Sequence, residues 1–363
     1  MTGHVSGRRV LIARGNIAET TADQAALPAA LAPGEALFRI DRVALTANNV
    51  TYAAAGDSFG YWRFFPGPDG FGILPVWGFA TVVDSAADGL APGDRFYGYW
   101  PLASHLVVAA DKVGAAGFYD ASPHRQGLSD FYNQYARMPA DRGLGAECGE
   151  ALFRPLFMTG WLINRFLADA DDFGAAQILL SSASSKTAMA TAFNLSRRQG
   201  QRPQVIGLTS AGNADFVRGL GCYDADVTYS ELAALDATRP TVFVDFAGDR
   251  ALTAKVHGHF GAQLRHSAMV GMTHWDMAAS AIEIPGTKPV LFFAPSVAEA
   301  TVKAMGAAGF QQESNAALAA FLSSTAGKLE IEVLGGLDAA ADAYRALAAG
   351  RLDGARALVV EPN

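Results

Sequence analysis

The run Ser181-Ser182-Ala183-Ser184-Ser185-Lys186-Thr187 concentrates hydroxyls and one ammonium between an apolar strand candidate at 178–180 and a helical pattern that runs through Phe193. A helix N-terminus offers free N–H groups and the positive end of a dipole, so it favours anions. The hydroxyls of Ser184, Ser185 and Thr187, with the charge of Lys186, suit a phosphate at that place. The same serines also suit helix capping with no ligand at all, and both readings stay open. A second group of reactive types lies nearer the start. Tyr52 and Tyr61 are phenols able to give a proton, and Asn48 or Asn49 can orient a carbonyl. The segment Tyr61-Trp62-Arg63-Phe64-Phe65 is densely aromatic and would line a cleft for a flat or apolar substrate. Those rings serve equally well as the core of a small domain.

These residues need elements to hold them. Apolar runs at 178–180, 205–208, 242–244 and 267–272 alternate with helical patterns, which predicts a parallel sheet covered on both faces. Ahead of them, short strand candidates at 36–40, 80–83 and 104–108 are separated by Gly and Pro, with a tight turn at Pro92-Gly93-Asp94. Apolar residues at helical spacing follow from Gly145 to about Ala168. The tail from Leu334 reads as a short helix, a glycine stop and a closing strand. Residues 115–142 contain Phe118-Tyr119 and Phe131-Tyr132-Asn133-Gln134-Tyr135. Such an aromatic insertion is expected to be a lid or binding loop, or else a surface excursion or dimer contact.

The chain has 363 residues, half of them hydrophobic, and a net charge of -7. That length and composition suit two globular domains. The acidic balance argues against nucleic acid or an anionic membrane as the main partner, and the aromatic segment at 61–65 would suit a small-molecule substrate. No apolar stretch is long enough to span a bilayer, and the start lacks a secretory core. Two cysteines, Cys148 and Cys222, cannot form a four-cysteine zinc lobe, and a reducing cytoplasm is the simplest compartment.

The tail Leu334-Gly335-Gly336-Leu337 through Val360, together with the turn Leu90-Ala91-Pro92-Gly93-Asp94-Arg95-Phe96-Tyr97-Gly98, resembles the medium-chain dehydrogenase/reductase superfamily. The resemblance implies an α/β protein: a GroES-like β domain over 1–150, completed by 326–363, and a Rossmann domain over 151–325. Relatives place a glycine-rich turn at 181–187, and its glycines are replaced here. The implied cofactor ligands are then Ser184, Ser185, Lys186 and Thr187. At the end of the second strand, Thr209, Ser210 and Asn213 stand where an NAD site has an acid, so the resemblance implies NADP(H). Tyr229 matches a tyrosine that quinone-reductase-like relatives carry after the third strand, whereas Asn213 replaces their lysine. Ala247, Gly271 and Met272 fall at strand ends that approach the nicotinamide in the superfamily.

The superfamily's catalytic zinc positions fall within 47–52 and 76–78, where suitable ligands are missing, which implies no metal. Zinc-free relatives mostly reduce activated C=C bonds or quinones, chemistry that needs positioning and a proton source. The implied function is therefore a zinc-independent, NADP(H)-dependent oxidoreductase acting on an activated alkene, quinone or carbonyl compound. Tyr52, Asn48 and Tyr61 are its candidate catalytic residues. Trp62, Phe64, Trp77, His274 and Trp275 are its candidate substrate contacts, although a lone histidine after a strand also reads as structural. A non-redox enzyme, or a non-catalytic binding protein on the same fold, is the alternative. Dimers are usual among similar proteins.

Overall fold

The computed structural model describes residues 6–139, 143–270, 283–351 and 356–363. In chain order the first elements are β1 (Ser6–Ala13), β2 (Thr20–Ala26), β3 (Glu35–Leu45), α1 (Ala47–Ala54), β4 (Phe71–Ile73), β5 (Pro75–Ser85), β6 (Arg95–Pro101), β7 (His105–Gly114), β8 (Gly117–Asp120) and β9 (Gln134–Met138). Then come α2 (Leu144–Asp169), β10 (Gln177–Leu180), α3 (Lys186–Ser196), β11 (Gln204–Thr209), α4 (Ala214–Leu220), β12 (Ala225–Thr228), β13 (Thr241–Asp245), α5 (Arg250–Phe260), β14 (Leu264–Met269), β15 (Val290–Leu291) and α6 (Ala294–Thr325). The chain closes with β16 (Glu330–Gly335), α7 (Gly336–Ala348) and β17 (Arg356–Glu361). It divides into two compact units. One is Met1–Leu152 with Glu330–Leu352 and Arg356–Asn363; the other is centred on Phe153–Leu329.

The first unit is built on strand alternation. In β3 the side chains of Ala36, Phe38 and Ile40 are buried while Arg39 points outward, the two-residue period of a half-buried strand. Six antiparallel strands run β3-β5-β6-β9-β8-β7, and β7 pairs back onto β3, so the sheet closes into a barrel. Closure removes the unpaired edges that an open sheet would expose. The tail does what its residues predict: β17 joins the far end of β3 through Val43–Leu45, with β16 beside it.

The aromatic insertion is a correction. Its two ends, β8 and β9, are neither lid nor surface excursion, because they form barrel wall between β6 and β7, and the loop 121–133 connects them. Phe118 and Tyr135 fill the interior, with ring centroids 5.4 Å from Phe38 to Phe118, 4.9 Å from Phe96 to Phe118 and 4.5 Å from Trp100 to Tyr135. Aromatic area of this size drives the segment inward.

Charge is also buried in this unit. Glu147, 1% exposed in the first turn of α2, accepts from Arg42 Nη1 at 2.6 Å, Arg95 Nη2 at 2.6 Å and Arg95 Nε at 3.1 Å. Arg95 also reaches Asp41 at 2.6 Å, and Arg42 reaches Glu361 at 2.8 Å. One cluster thereby ties α2 to β3, β6 and β17.

The second unit is a parallel sheet in the order β12-β11-β10-β13-β14-β15. Numbered within the unit that is 3-2-1-4-5-6, the dinucleotide-binding order. All four residues of β10 are buried, as expected for a strand covered on both faces. Ile178 and Leu180 pack with Ile163, Leu195 and Val244 on one face, and Leu179 packs with Leu208, Phe243 and Val256 on the other. A GroES-like β domain and a Rossmann domain are thus both present. Among the described residues no helix is long and apolar enough to cross a membrane.

Candidate functional site

In an open sheet of this order, ligands bind outside the carboxyl ends of the strands, where the order reverses. Here that place lies between β10 and β13. Ser181 joins the two strand ends: its hydroxyl donates to Asp245 Oδ1 at 2.6 Å and accepts from Phe246 N at 2.8 Å. Asp245, 3% exposed, also accepts from Ala247 N, Gly248 N and Thr253 Oγ1. Burial pushes its carboxyl above the usual range, against these hydrogen bonds. Ser181 and Asp245 are therefore the frame of the site.

The turn itself shows how a glycine-free sequence takes this path. Ser182 adopts the left-handed conformation, φ 49°, that glycine usually supplies. Space for the turn comes from the next strand. A Cβ on Gly207 of β11 would stand 2.9 Å from the Ala183 methyl, so the bare residue on the neighbouring strand leaves room for the turn. Ser185 caps α3 by accepting from Ala188 N, which confirms the capping reading for that side chain. Lys186 opens α3, Thr187 follows it with its carbonyl accepting from Thr191, and Ser184 is buried at 6% exposure. The first N–H groups of a helix have no partner within it. The donor set of hydroxyl, ammonium and helix N–H at the switch point fits a diphosphate.

At the end of β11, Thr209 is buried, Ser210 exposed and Asn213 intermediate, and the strand end carries no carboxylate. Tyr229 follows β12, and its hydroxyl accepts the Ser182 N–H at 3.0 Å. Ala247 lies buried at the end of β13 with its N–H on Asp245. Gly271, Met272, His274 and Trp275 lie outside the described residues. A cavity of about 230 Å³, lined by Met189, Phe193, Arg197, Cys222, Thr325 and Lys328 among others, lies along one face of α3.

In the first unit the structure brings Tyr52, Asn48, Tyr61 and Trp77 together. Tyr52 lies on α1, 5% exposed, and its hydroxyl accepts from Trp77 Nε1 at 3.1 Å. Asn48 precedes it by one helical turn on α1, and the Tyr132 ring lies edge-on with its centroid 6.4 Å from that of Tyr52. Tyr61 packs on Tyr52 at 4.7 Å, and its hydroxyl lies 3.4 Å from that of Tyr132. Asn49 is spent on structure, since its side chain accepts from Thr46 N and donates to Pro75 O. Trp62 belongs to the core: a Cβ on Gly56 or Gly72 would overlap its indole, so the two glycines clamp it. Phe64 is buried at 2% and packs edge-on to Tyr99 and Tyr132. Sequence reasoning missed Tyr99 and Tyr132 as parts of this cluster. The aromatic run 131–135 was the available signal for Tyr132.

Burial, first among the causes, holds the phenols of Tyr52, Tyr61, Tyr99 and Tyr132 above their ordinary value. For Tyr52 the neighbouring Tyr61 adds to the rise, while Trp77, Asn48 and Tyr132 oppose it. All four are protonated at neutral pH, as a proton donor must be. A phenol raised in the folded state stabilises the fold fully below the unfolded value of about pH 10, and that contribution is lost as pH climbs through the folded value. Tyrosinate absorbance is therefore expected to appear together with loss of structure above about pH 10. Smooth titration of all phenols near that pH in a protein that stays folded would contradict this packing.

Among the described residues no group of three potential ligands is placed to hold a metal ion. A profile for the family described as "Protein of unknown function (DUF2855)" matches residues 43–353. This chain belongs to that family. No curated protein matches it in sequence. Solved structures similar to the DUF2855 chain include CurA from Vibrio vulnificus in complex with NADPH, at 13% identity over 98% of this chain and 99% of that one, TM-score 0.62. The yhdH oxidoreductase of Salmonella enterica in complex with NADP is 13% identical over 98% and 100%, TM-score 0.55. The quinone oxidoreductase of Coxiella burnetii is 13% identical over 99% and 100%, TM-score 0.54. At this identity the likeness shows the fold alone, a GroES-like β domain with a Rossmann domain.

Proposed function

We propose that this chain is a zinc-independent, NADP(H)-dependent oxidoreductase acting on an activated alkene, a quinone or another carbonyl compound. The observation that carries the reading is the serine and lysine turn at the switch point of a 3-2-1-4-5-6 sheet. The strand end at Thr209 and Ser210, free of carboxylate, tolerates a 2′-phosphate. Fold neighbours solved with NADPH and with NADP support the same cofactor class.

When bound, NADPH supplies a hydride. The chain's own residues do the rest. Ser184, Lys186, Thr187 and the N-terminal N–H groups of α3 would hold the diphosphate, and Thr209, Ser210, Asn213 and Tyr229 would border the adenosine side. Tyr52 would give the proton that completes the reduction, with its hydroxyl oriented and its phenolate stabilised by Trp77 Nε1–H and with Asn48 one helical turn away on α1. Tyr61 adjoins it, and Trp77 offers an aromatic surface beside the phenols.

Tryptophan-fluorescence titration tests the cofactor claim. NADPH should quench saturably and bind more tightly than NADH. Lys186→Ala should weaken NADPH roughly 10- to 100-fold, the loss of one charge-assisted contact. Equal affinity for wild type and variant would remove Lys186 from the site. A second reading, a protein on this fold that binds no dinucleotide, draws on one observation: the Ser182 N–H is already taken by Tyr229. Absence of any NADPH or NADH binding would favour it.

A further inference from the structure

Ser182 stands in the left-handed conformation, φ 49°, which is costly for a residue with a side chain and nearly free for glycine. Two phenols grip the chain at that point. Tyr229, just after β12, accepts the Ser182 N–H on its hydroxyl at 3.0 Å. Tyr223, just before β12, donates its hydroxyl to the Ala183 carbonyl at 2.8 Å. The bare Gly207 of β11 admits both partners of the second bond, since a Cβ there would stand 2.9 Å from the Ala183 methyl and 2.9 Å from the Tyr223 ring. Ala183 N also donates to Leu208 O at 3.0 Å, and Ser185 N to Ser182 O at 2.7 Å. All of these residues belong to the second unit. We propose that Tyr223 and Tyr229 are positioning residues, which hold the Ser182-Ala183 turn in the cofactor-binding shape that glycines would otherwise give it.

The inference rests on the reading of this turn as the diphosphate site, and it divides the turn by role. The N–H groups of Ser182 and Ala183 are taken by Tyr229 and Leu208, so neither is left to meet a phosphate. The donors for the anion therefore begin at Ser184 and the opening of α3, and the phenols act on them through the main chain. Tyr223 and Tyr229 flank the four-residue β12, whose pairing with β11 sets both hydroxyls against the turn. Burial holds both phenols above their ordinary value, so Tyr223 keeps the proton it donates at neutral pH. A serine without these bonds would turn to negative φ for most of the time. Affinity then falls with the fraction of molecules that keep the binding shape.

Isothermal titration calorimetry with NADPH reads this directly. Tyr229→Phe and Tyr223→Phe each keep the ring and remove one bond. Each should weaken NADPH about tenfold, the cost of a left-handed residue that has lost its tether. The same changes in a Ser182→Gly background should weaken it less than about threefold, because glycine takes the left-handed conformation unaided. Tyr229 is only half-buried, so its variant decides the matter should Tyr223→Phe unfold. A lower urea midpoint in Tyr229→Phe with NADPH affinity unchanged would reduce the phenol to a structural part and overturn the inference. A tenfold loss that persists in the Ser182→Gly background would overturn it too, by making Tyr229 a ligand contact. Tighter NADPH binding by Tyr229→Phe would do the same, because the hydroxyl would then compete with phosphate for the Ser182 N–H. In each of these cases the wild type still binds NADPH and the proposed function stands. Wild-type protein that binds no NADPH would overturn both.

Discussion

Glu147→Ala should cost about 3 kcal/mol of stability, because it removes the buried carboxylate that two arginines share and leaves Arg42 with Glu361 and Arg95 with Asp41 alone. Arg42 and Arg95 are 8% and 7% exposed, so water cannot replace the lost partner. A buried ion pair adds little net stability over well-packed apolar residues, yet removing one member of it is expensive. The same logic predicts that Glu147→Leu with Arg95→Met loses less than Glu147→Ala alone. Urea unfolding followed by tryptophan fluorescence reads the effect well, since Trp62, Trp77 and Trp100 all lie in the barrel unit. A midpoint for Glu147→Ala equal to that of wild type would show that the cluster is dispensable.

Tyr52→Phe should lower kcat by about 10²-fold or more, the usual contribution of a positioned general acid. NADPH affinity should be unchanged, because the diphosphate donors Ser184, Lys186 and Thr187 are left intact. The loss should appear in the first turnover as well as in the steady state. The variant also leaves the buried Trp77 N–H without its acceptor, so about 1–3 kcal/mol of stability should go with the activity. Steady-state and single-turnover rates beside an NADPH titration separate these effects. Wild-type rates in both regimes would exclude Tyr52 as the proton donor.

Much of the fold was legible because its signals are local. The order of strands and helices from Ile178 to Asp245 follows from short apolar runs and their spacing, and the tail carries its glycine stop in plain view. The serine turn could be placed at a helix N-terminus because a strand precedes it and a helical pattern follows. Other features had no local signal. The strands β8 and β9 have four and five residues, too few for alternation to stand out from aromatic loop composition. Arg42, Arg95 and Glu147 lie far apart in sequence, and nothing near any of them announces a shared buried cluster. Trp62 sits in a segment dense with aromatics, where type alone cannot tell a cleft wall from a core ring. The glycines that clamp it come from 56 and 72, positions that make sense only once β4 and the turn after α1 are in place. The room that Gly207 on the neighbouring strand leaves for Ala183 is equally non-local.

The most direct measurement is a crystal structure of the protein soaked with NADPH. Diphosphate oxygens should lie on Ser184, Lys186 and the first N–H groups of α3, with the 2′-phosphate beside Thr209 and Ser210. Soaked crystals in which the turn holds no cofactor, with the Tyr229 hydroxyl still seated on the Ser182 N–H, would contradict it.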